Sequence, residues 1–497
     1  MPSKRIRLAI LALVLAAAPA LSLLASDRDV PITTSSAQAR QLYLQARDKA
    51  ENIEMQAART LAAQAAEKDG AFAMAYLLLS ETGDASSSES RQNLDKAVSL
   101  AANVSPGERH WIMASKAETD GDVNAVKAHL QELESAFPDD KRVQLRIGMY
   151  QQFVARNLPQ AAVHLRKATT IDPSFAPAYN LLGYVHMNLA QYADAEAAFR
   201  KYVELLPDRP NPYDSYAEML MKVGRYDESI AQYRKALEKD GSFVSSLAGI
   251  GANQLFKGDY QAARESFEQE RAKAPTLGGQ LTAMDHLALS YVHEGKTTEA
   301  VRVYDEIASK AQDGGLAPRM VGARLEAALV LNEAGRSADA AAQIDQAEAL
   351  LKTAAVPPAV ETRLKNAAAL GRVRVLAAKG QYTAANAEIA RVRPAVEQRA
   401  IPAELATLNE TLGFVALRQK RYKDAMAFFQ KGDPNNPLTM YERGLAEEKL
   451  GRANQAATLF DKVANWNAND LGYALIRSEA TKKSEAVAVA TRGKKQQ

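Results

Sequence analysis

Small and apolar residues recur along this chain at a fixed interval. Ala161, Ala195, Ser229 and Ala263 stand 34 residues apart; Leu165, Phe199, Tyr233 and Phe267 follow them by four positions, and Leu158, Tyr192, Tyr226 and Tyr260 precede them by three. Separations of three, four and seven put side chains on one face of an α-helix, so each block predicts an amphipathic helix. Pro173, Pro207, Gly241 and Pro275 close the blocks. Proline lacks an N–H and pushes the residue before it out of helical geometry, which ends one unit and resets the chain for the next. A second apolar stretch ahead of each block predicts a partner helix. Gly183 and Gly251 there, with Ala195 and Ala263 opposite, let two backbones approach while Phe199 or Phe267 fills the space beside the crossing.

The register continues with looser spelling on both sides. Upstream, Ala58 with Gly70, the run Ala73 to Ser80, and Gly121 to Pro138 each predict a helix pair. Downstream, Ala300, Ala340, Ala385, Ala425 and Ala456 hold the small position, with Tyr304, Ile344, Ile389, Phe429 and Phe460 four residues beyond. Short turns such as Glu294-Gly295-Lys296, Ala334-Gly335-Arg336 and Leu450-Gly451-Arg452 precede them. About twelve units fit between Ala39 and Ala464, above the three or so that a stacked array needs. The period widens after Pro275, which is read as longer turns and a soft boundary there.

The stretch Asn180-Leu181-Leu182-Gly183-Tyr184, followed by Ala195, Phe199 and Pro207, resembles the tetratricopeptide repeat (TPR) family, whose period is 34 residues. Ser229, Gly241 and Glu270 depart from its usual residues. The resemblance implies an all-α, right-handed superhelical solenoid of about twelve helix pairs, regular over residues 37–275 and divergent over 276–464. It also implies that the first helix of each pair lines a concave groove that binds a protein or peptide partner. Onto this chain it places Asn180, Tyr184 and Asn188 in one unit, Asp214, Glu218 and Lys222 in the next, and Ala248, Ala252 and Phe256 in a third. The lysine and arginine of the carboxylate clamp found in chaperone-binding members are not reproduced.

The ends read differently. Lys4, Arg5 and Arg7 precede an apolar run from Leu8 to Ala25, with Ala18-Pro19-Ala20 as a small-residue cleavage site. That layout predicts a signal peptide or N-terminal anchor over residues 1–25, which places the array outside the cytoplasm in either case. Residues 26–36 read as a flexible connector with Ser35 or Ser36 as a helix N-cap, 465–482 as a solvating cap helix, and 483–497 as a disordered basic tail.

Composition narrows the chemistry. With 62 basic and 59 acidic residues in 497, the formal charge is +3, too balanced to suggest nucleic acid as a partner. The chain has no cysteine, which removes disulfides, thiolate nucleophiles and a lipoprotein anchor. Gly295-Lys296-Thr297 has Ser290 where a phosphate loop needs glycine, and Gly249-Ile250-Gly251 has Gln254 at the third glycine position of a dinucleotide motif. Of the histidines His110, His129, His164, His186, His286 and His293, only His286 and His293 share a helix face. They are separated by roughly 10 Å of rise, too far to share one zinc. The sequence therefore predicts no enzyme, cofactor or metal. It predicts an exported TPR scaffold or adaptor in the cell envelope. The alternative is a membrane-anchored periplasmic component of a polysaccharide or protein secretion or assembly system.

Overall fold

The structure is a computed structural model that describes residues 28–83, 88–353 and 356–495, with side chains in the last helix described to residue 486. The signal or anchor segment 1–25 lies outside the described residues. Among those described there are 25 α-helices and no strand, in two compact units, Met1–Pro207 and Asp208–Gln497.

In the first unit, helices pack in five consecutive pairs. These are α1 (Ala37–Glu51) with α2 (Met55–Lys68), α3 (Ala73–Glu81) with α4 (Ser88–Leu100), α5 (Pro106–Asp120) with α6 (Val123–Ala136), α7 (Lys141–Met149) with α8 (Leu158–Ile171), and α9 (Ala176–Asn188) with α10 (Tyr192–Leu205). Helix α7 ends in a π-helical turn over Tyr150–Val154.

The second unit continues with α11 (Pro210–Lys222) and α12 (Tyr226–Lys239), α13 (Ser245–Lys257) and α14 (Tyr260–Lys273), α15 (Leu277–His293) and α16 (Thr297–Asp313). There follow α17 (Ala317–Glu333) and α18 (Ser337–Thr353), α19 (Pro358–Ala378) and α20 (Tyr382–Arg399), α21 (Pro402–Arg418) and α22 (Tyr422–Phe429), and α23 (Pro437–Lys449) and α24 (Ala453–Ala464). Five pairs and seven make the twelve expected among the described residues. A last helix, α25 (Leu471–Lys495), follows them.

The small positions do what close packing requires. Ala161, Ala195, Ser229, Ala263, Ala300, Ala340, Ala385 and Ala425 all lie on second helices at 0 % exposure. A methyl group on Gly183 would come within 2.6 Å of the Phe199 ring, and Gly413 and Gly444 stand in the same relation to Phe429 and Phe460. Glycines at the turns within pairs, Gly121 through Gly451, hold φ of 73–85°, a left-handed conformation without cost for glycine. Ala190 and Lys420 take that role elsewhere at φ 57° and 62°.

Four expectations are corrected. The period widens after Pro275 because the helices lengthen: α15 to α18 are 17 residues each, where α9 to α14 are 13 or 14. One added turn per helix accounts for it, and the turns stay short. The compact units divide at Pro207, not near Pro275. Residues 28–36 are a fixed strap. The Val30 amide donates to Asp140 (2.8 Å), the Thr33 amide to Glu108 (2.7 Å) and the Thr34 hydroxyl to Asp69 (2.5 Å), ahead of the Ser36 cap on α1. Finally, α25 runs through the basic residues 483–495 as helix, since propagating an anchored helix needs no new nucleus. It packs on α24 and α23 at the end of the last pair, and reaches α15 and α17 as well.

Candidate functional site

The expected groove residues of the first unit sit on α9 in unlike settings. Asn180 is 8 % exposed and its Oδ1 has no hydrogen-bond partner. Tyr184 is half-buried, its ring edge-on to Phe199 at 5.1 Å, and Asn188 is exposed at the helix end. Elsewhere on the first helices is a polar network that the looser spelling of those repeats concealed. Arg146 on α7 donates to Glu81 on α3 (3.2 Å) and to Glu118 and Ser115 on α5 (2.9 Å each), and lies 5.5 Å from the Trp111 ring centre. One turn earlier, Arg142 makes two bonds to Glu51 on α1, at 2.5 and 3.0 Å. Spacing of four places both arginines on one face of α7, a signal the sequence did carry.

In the second unit Asp214 is buried between α11 and α13, where the Ser246 hydroxyl donates to it at 2.6 Å. Burial pushes its carboxyl up to about 7, against the Ser246 hydrogen bond and helped by the charge of Glu218. Glu218 follows one turn later and is half-buried. Lys222 is spoken for: its Nζ donates to the Trp466 carbonyl (2.5 Å) and lies 4.2 Å from the Trp466 ring centre. Further along the inner helices, Arg319 on α17 pairs with Asp285 on α15 and with Glu326. Arg374 on α19 reaches Glu442 on α23 (2.5 Å) beneath the Phe414 ring at 4.0 Å, and burial pushes the Glu442 carboxyl up to about 7.

Ala252 and Phe256, which the repeat register assigned to the groove, are 4 % and 5 % exposed. They are covered by α25. Tyr473, Ile476 and Ala480 pack with Ala252, Leu255 and Phe256 of α13 and with Leu438 and Met440 of α23. Leu471, Ala474 and Leu475 pack with side chains of α15 and α17. Arg477 donates to the Phe256 carbonyl at 2.7 Å and lies 5.1 Å from its ring centre. The junction before α25 is held too: the Tyr226 hydroxyl donates to Asn467 Oδ1 (2.8 Å), and Asn467 Nδ2 donates to the Lys222 carbonyl (3.3 Å). The inner face of this unit therefore holds a helix of its own chain.

The histidines are dispersed. His286 bonds Glu270 at 2.9 Å, while His293 is packed between Phe256 and Tyr473, both ring centres 6.0 Å away. His110 and His129 meet with Nδ1 atoms 3.1 Å apart, a pairing across α5 and α6 that spacing did not suggest. Among the described residues no group of three or more histidine or carboxylate side chains is placed to hold a metal. Arg264 on α14 reaches Glu294 at the end of α15 at 2.7 Å.

Two family profiles agree with the repeat register. A family profile described as tetratricopeptide repeat matches residues 176–209, and a second of the same description matches 217–277 and 286–359. The chain is 32% identical to Superkiller complex protein 3 of Mus musculus over 114 residues, 23% of this chain and 7% of that protein. It is 27% identical to Tetratricopeptide repeat protein 13 of Homo sapiens over 135 residues, 27% and 15% of the two chains. The match thus spans under a fifth of either relative's length. Among solved structures, a tetratricopeptide repeat protein from Parabacteroides merdae superimposes with a TM-score of 0.36 at 14% identity, covering 55% of this chain and 98% of that one. PilW, a type IV pilus biogenesis factor, superimposes with a TM-score of 0.32 at 15% identity, covering 50% and 99%. The 34-residue register, its realisation as paired helices with small and aromatic contacts, and the matched repeat profiles together place this chain in the tetratricopeptide repeat family.

Proposed function

We propose that this TPR scaffold is exported and works in the cell envelope as an adaptor, binding protein partners through the inner faces of its first helices, and that it is not an enzyme. The observation that carries the reading is the incomplete pairing of polar side chains on those faces. Asn180 keeps a buried Oδ1 without a partner beside half-buried Tyr184, and such a group costs free energy until a partner that draws the side chain outward completes its hydrogen bond. Export rests on the basic residues Lys4, Arg5 and Arg7 ahead of the Leu8 to Ala25 run. Should that run stay uncleaved, the same array becomes a membrane-anchored periplasmic part of a secretion or assembly system.

The combined Asn180→Ala, Tyr184→Ala and Glu218→Ala protein should keep its helical signal and lose about 2 kcal/mol or more of partner binding in a crosslinking pull-down from envelope extract. Changes on second helices, at Glu196 and Arg234, should leave capture intact; the reverse outcome would move the site to the outer face. Residues 1–40 fused to a reporter active only after export should give signal, and a silent reporter would end the envelope assignment.

A further inference from the structure

The second unit already displays what its inner face binds. Its occupant is a helix whose apolar positions follow groove spacing: Tyr473, Ile476 and Ala480 on one line, Leu471, Ala474 and Leu475 beside it. Laying an amphipathic helix into a groove with anchors at i, i+3, i+4 and i+7 is a recognised mode of partner binding. The polar fixings are chemically selective as well. Arg477 caps the last carbonyls of α13 at Leu255 and Phe256, where a helix C-terminus is negative, and Lys483 pairs with Glu448 on α23 at 2.8 Å.

Two features set this occupant apart from permanent core. First, it is tethered by a junction outside any helix, residues 465–470, in which Asn467 adopts a left-handed φ of 47°. Second, its seat leaves polar groups poorly served. Asn469 approaches His293 without closing a hydrogen bond of normal geometry, so His293 Nε2 is buried and unpaired. Buried groups left in this state work against the docked arrangement, so the helix is held by apolar and arginine contacts that a second helix of the same kind could supply without those penalties.

We infer that the inner face of the second unit is a receptor for an amphipathic partner helix carrying an aromatic residue, a branched aliphatic three positions on and an arginine next to it, and that α25 is the chain's own competitor for that seat. This rests on the reading of the inner faces as recognition surfaces. The two fail separately: loss of envelope capture after the Asn180, Tyr184 and Glu218 changes says nothing about competition by α25, and the converse.

The test uses a fluorescein-labelled peptide of residues 466–486 titrated by anisotropy into the full chain, the same chain with Ile476→Ala and Arg477→Ala, and that double variant with Phe256→Ala added. The peptide should bind the double variant at least tenfold more tightly than the unaltered chain, and adding Phe256→Ala should remove the gain. Equal affinity for the unaltered and doubly altered chains, or binding to neither, would overturn the inference. So would dimers of the double variant exchanging their own helices, since a second copy would then be the occupant. Hydrogen exchange on the unaltered chain gives a reading independent of variant folding. Residues 471–484 should exchange at least tenfold faster than residues 245–257, whereas equal rates would make α25 permanent core and end the proposal.

Discussion

The two units use one repeat and treat their chain ends in opposite ways. In the first, the segment after residue 28 lies extended and is held by carboxylates: Asp140, Glu108 and Asp69 each accept from its amides or hydroxyls. In the second, the end of the chain is a helix held by apolar faces and by an arginine on backbone carbonyls. The difference follows from what the first helices present. Those of both units carry ion pairs, Arg146 with Glu81 and Glu118 in the first and Arg319 with Asp285 and Arg374 with Glu442 in the second, but α13, where α25 lies, offers Ala252, Leu255 and Phe256. A fixed register sets which helices pack together, and the residues left over on the inner face decide what that face can hold.

The largest expected effect separates the units by how far damage spreads. Ala195→Glu and Ala263→Glu each force an unpaired charge into a contact between paired helices at 0 % exposure, costing about 4 kcal/mol or more locally. In the first unit lost hydrogen-exchange protection should stay near α9 and α10, as in a quasi-linear array. In the second it should also reach α25, because Ala263 and Phe267 belong to the same apolar cluster as Tyr473. Equal spread in both would erase the distinction.

Next comes the ion pairing of the inner helices. Arg374→Ala leaves Glu442, whose side chain is 5 % exposed, buried without its counter-charge, and should cost about 3–5 kcal/mol in urea unfolding. Arg142→Ala leaves Glu51 at 15 % exposure with Arg47 still 3.8 Å away, and should cost about 1–2 kcal/mol. The Arg374→Ala deficit should shrink as pH falls toward about 7 and level off below it, because Glu442 without its counter-charge takes up a proton at higher pH than it does beside Arg374, and below about 7 it is neutral in both proteins.

How much of this was legible in the residues depends on range. Ala195, Gly183 and Phe199 act within one helix pair, so local spacing announced them. The lengthening of α15 to α18 was visible as a wider period but ambiguous, since an added helical turn and a longer loop displace the next alanine alike. The strap was read as flexible because Val30 and Thr33 gain order only from Asp140 and Glu108, some 110 and 75 positions away. Burial of Asp214 was hidden because its partner Ser246 sits on the neighbouring first helix, 32 positions on, and a polar residue at a groove position reads as exposed until that helix is placed. Docking of α25 depends on side chains of α13, α15, α17 and α23, as far as 222 positions away, for which no local pattern exists. The apolar spacing of Tyr473, Ile476 and Ala480 was its one trace.

A third prediction probes the seat of α25 through pH. His293 faces Arg477 and Tyr473 from α25, Phe256 from α13 and Asn469 from the junction. Burial, with Arg477 adding repulsion, pushes its imidazole down to about 3. A group depressed in the docked state contributes stability above its ordinary value of 6.5 and loses it as pH falls toward 3. Docking should therefore weaken by about 2 kcal/mol between pH 7 and pH 5 relative to His293→Gln. Asp470, which burial raises, works in the opposite sense in both proteins and cancels in that difference. Parallel exchange rates for residues 471–484 in the two proteins across this range would remove His293 from the account.

The smallest effect tests the other terminus. The Thr33 hydroxyl donates to Glu108 at 2.5 Å and accepts from the Ser105 amide at 3.2 Å, while Glu108 also serves the Ser105 hydroxyl as part of the cap on α5. Thr33→Val keeps the shape and removes the hydroxyl, so it should cost about 1 kcal/mol. Because Glu108 retains the Thr33 amide and its Ser105 contacts, the strap should loosen without detaching. Exchange should quicken at the Ser105 amide and across residues 30–34, with α5 and α7 unchanged. The same measurement on the second unit gives the contrast: Arg477→Ala should free the whole of residues 471–484 together, since a docked helix opens as one cooperative piece. If Thr33→Val instead released residues 28–36 all at once, the strap would be as cooperative as α25, and the two ends of the chain would be held by one physical principle and not two.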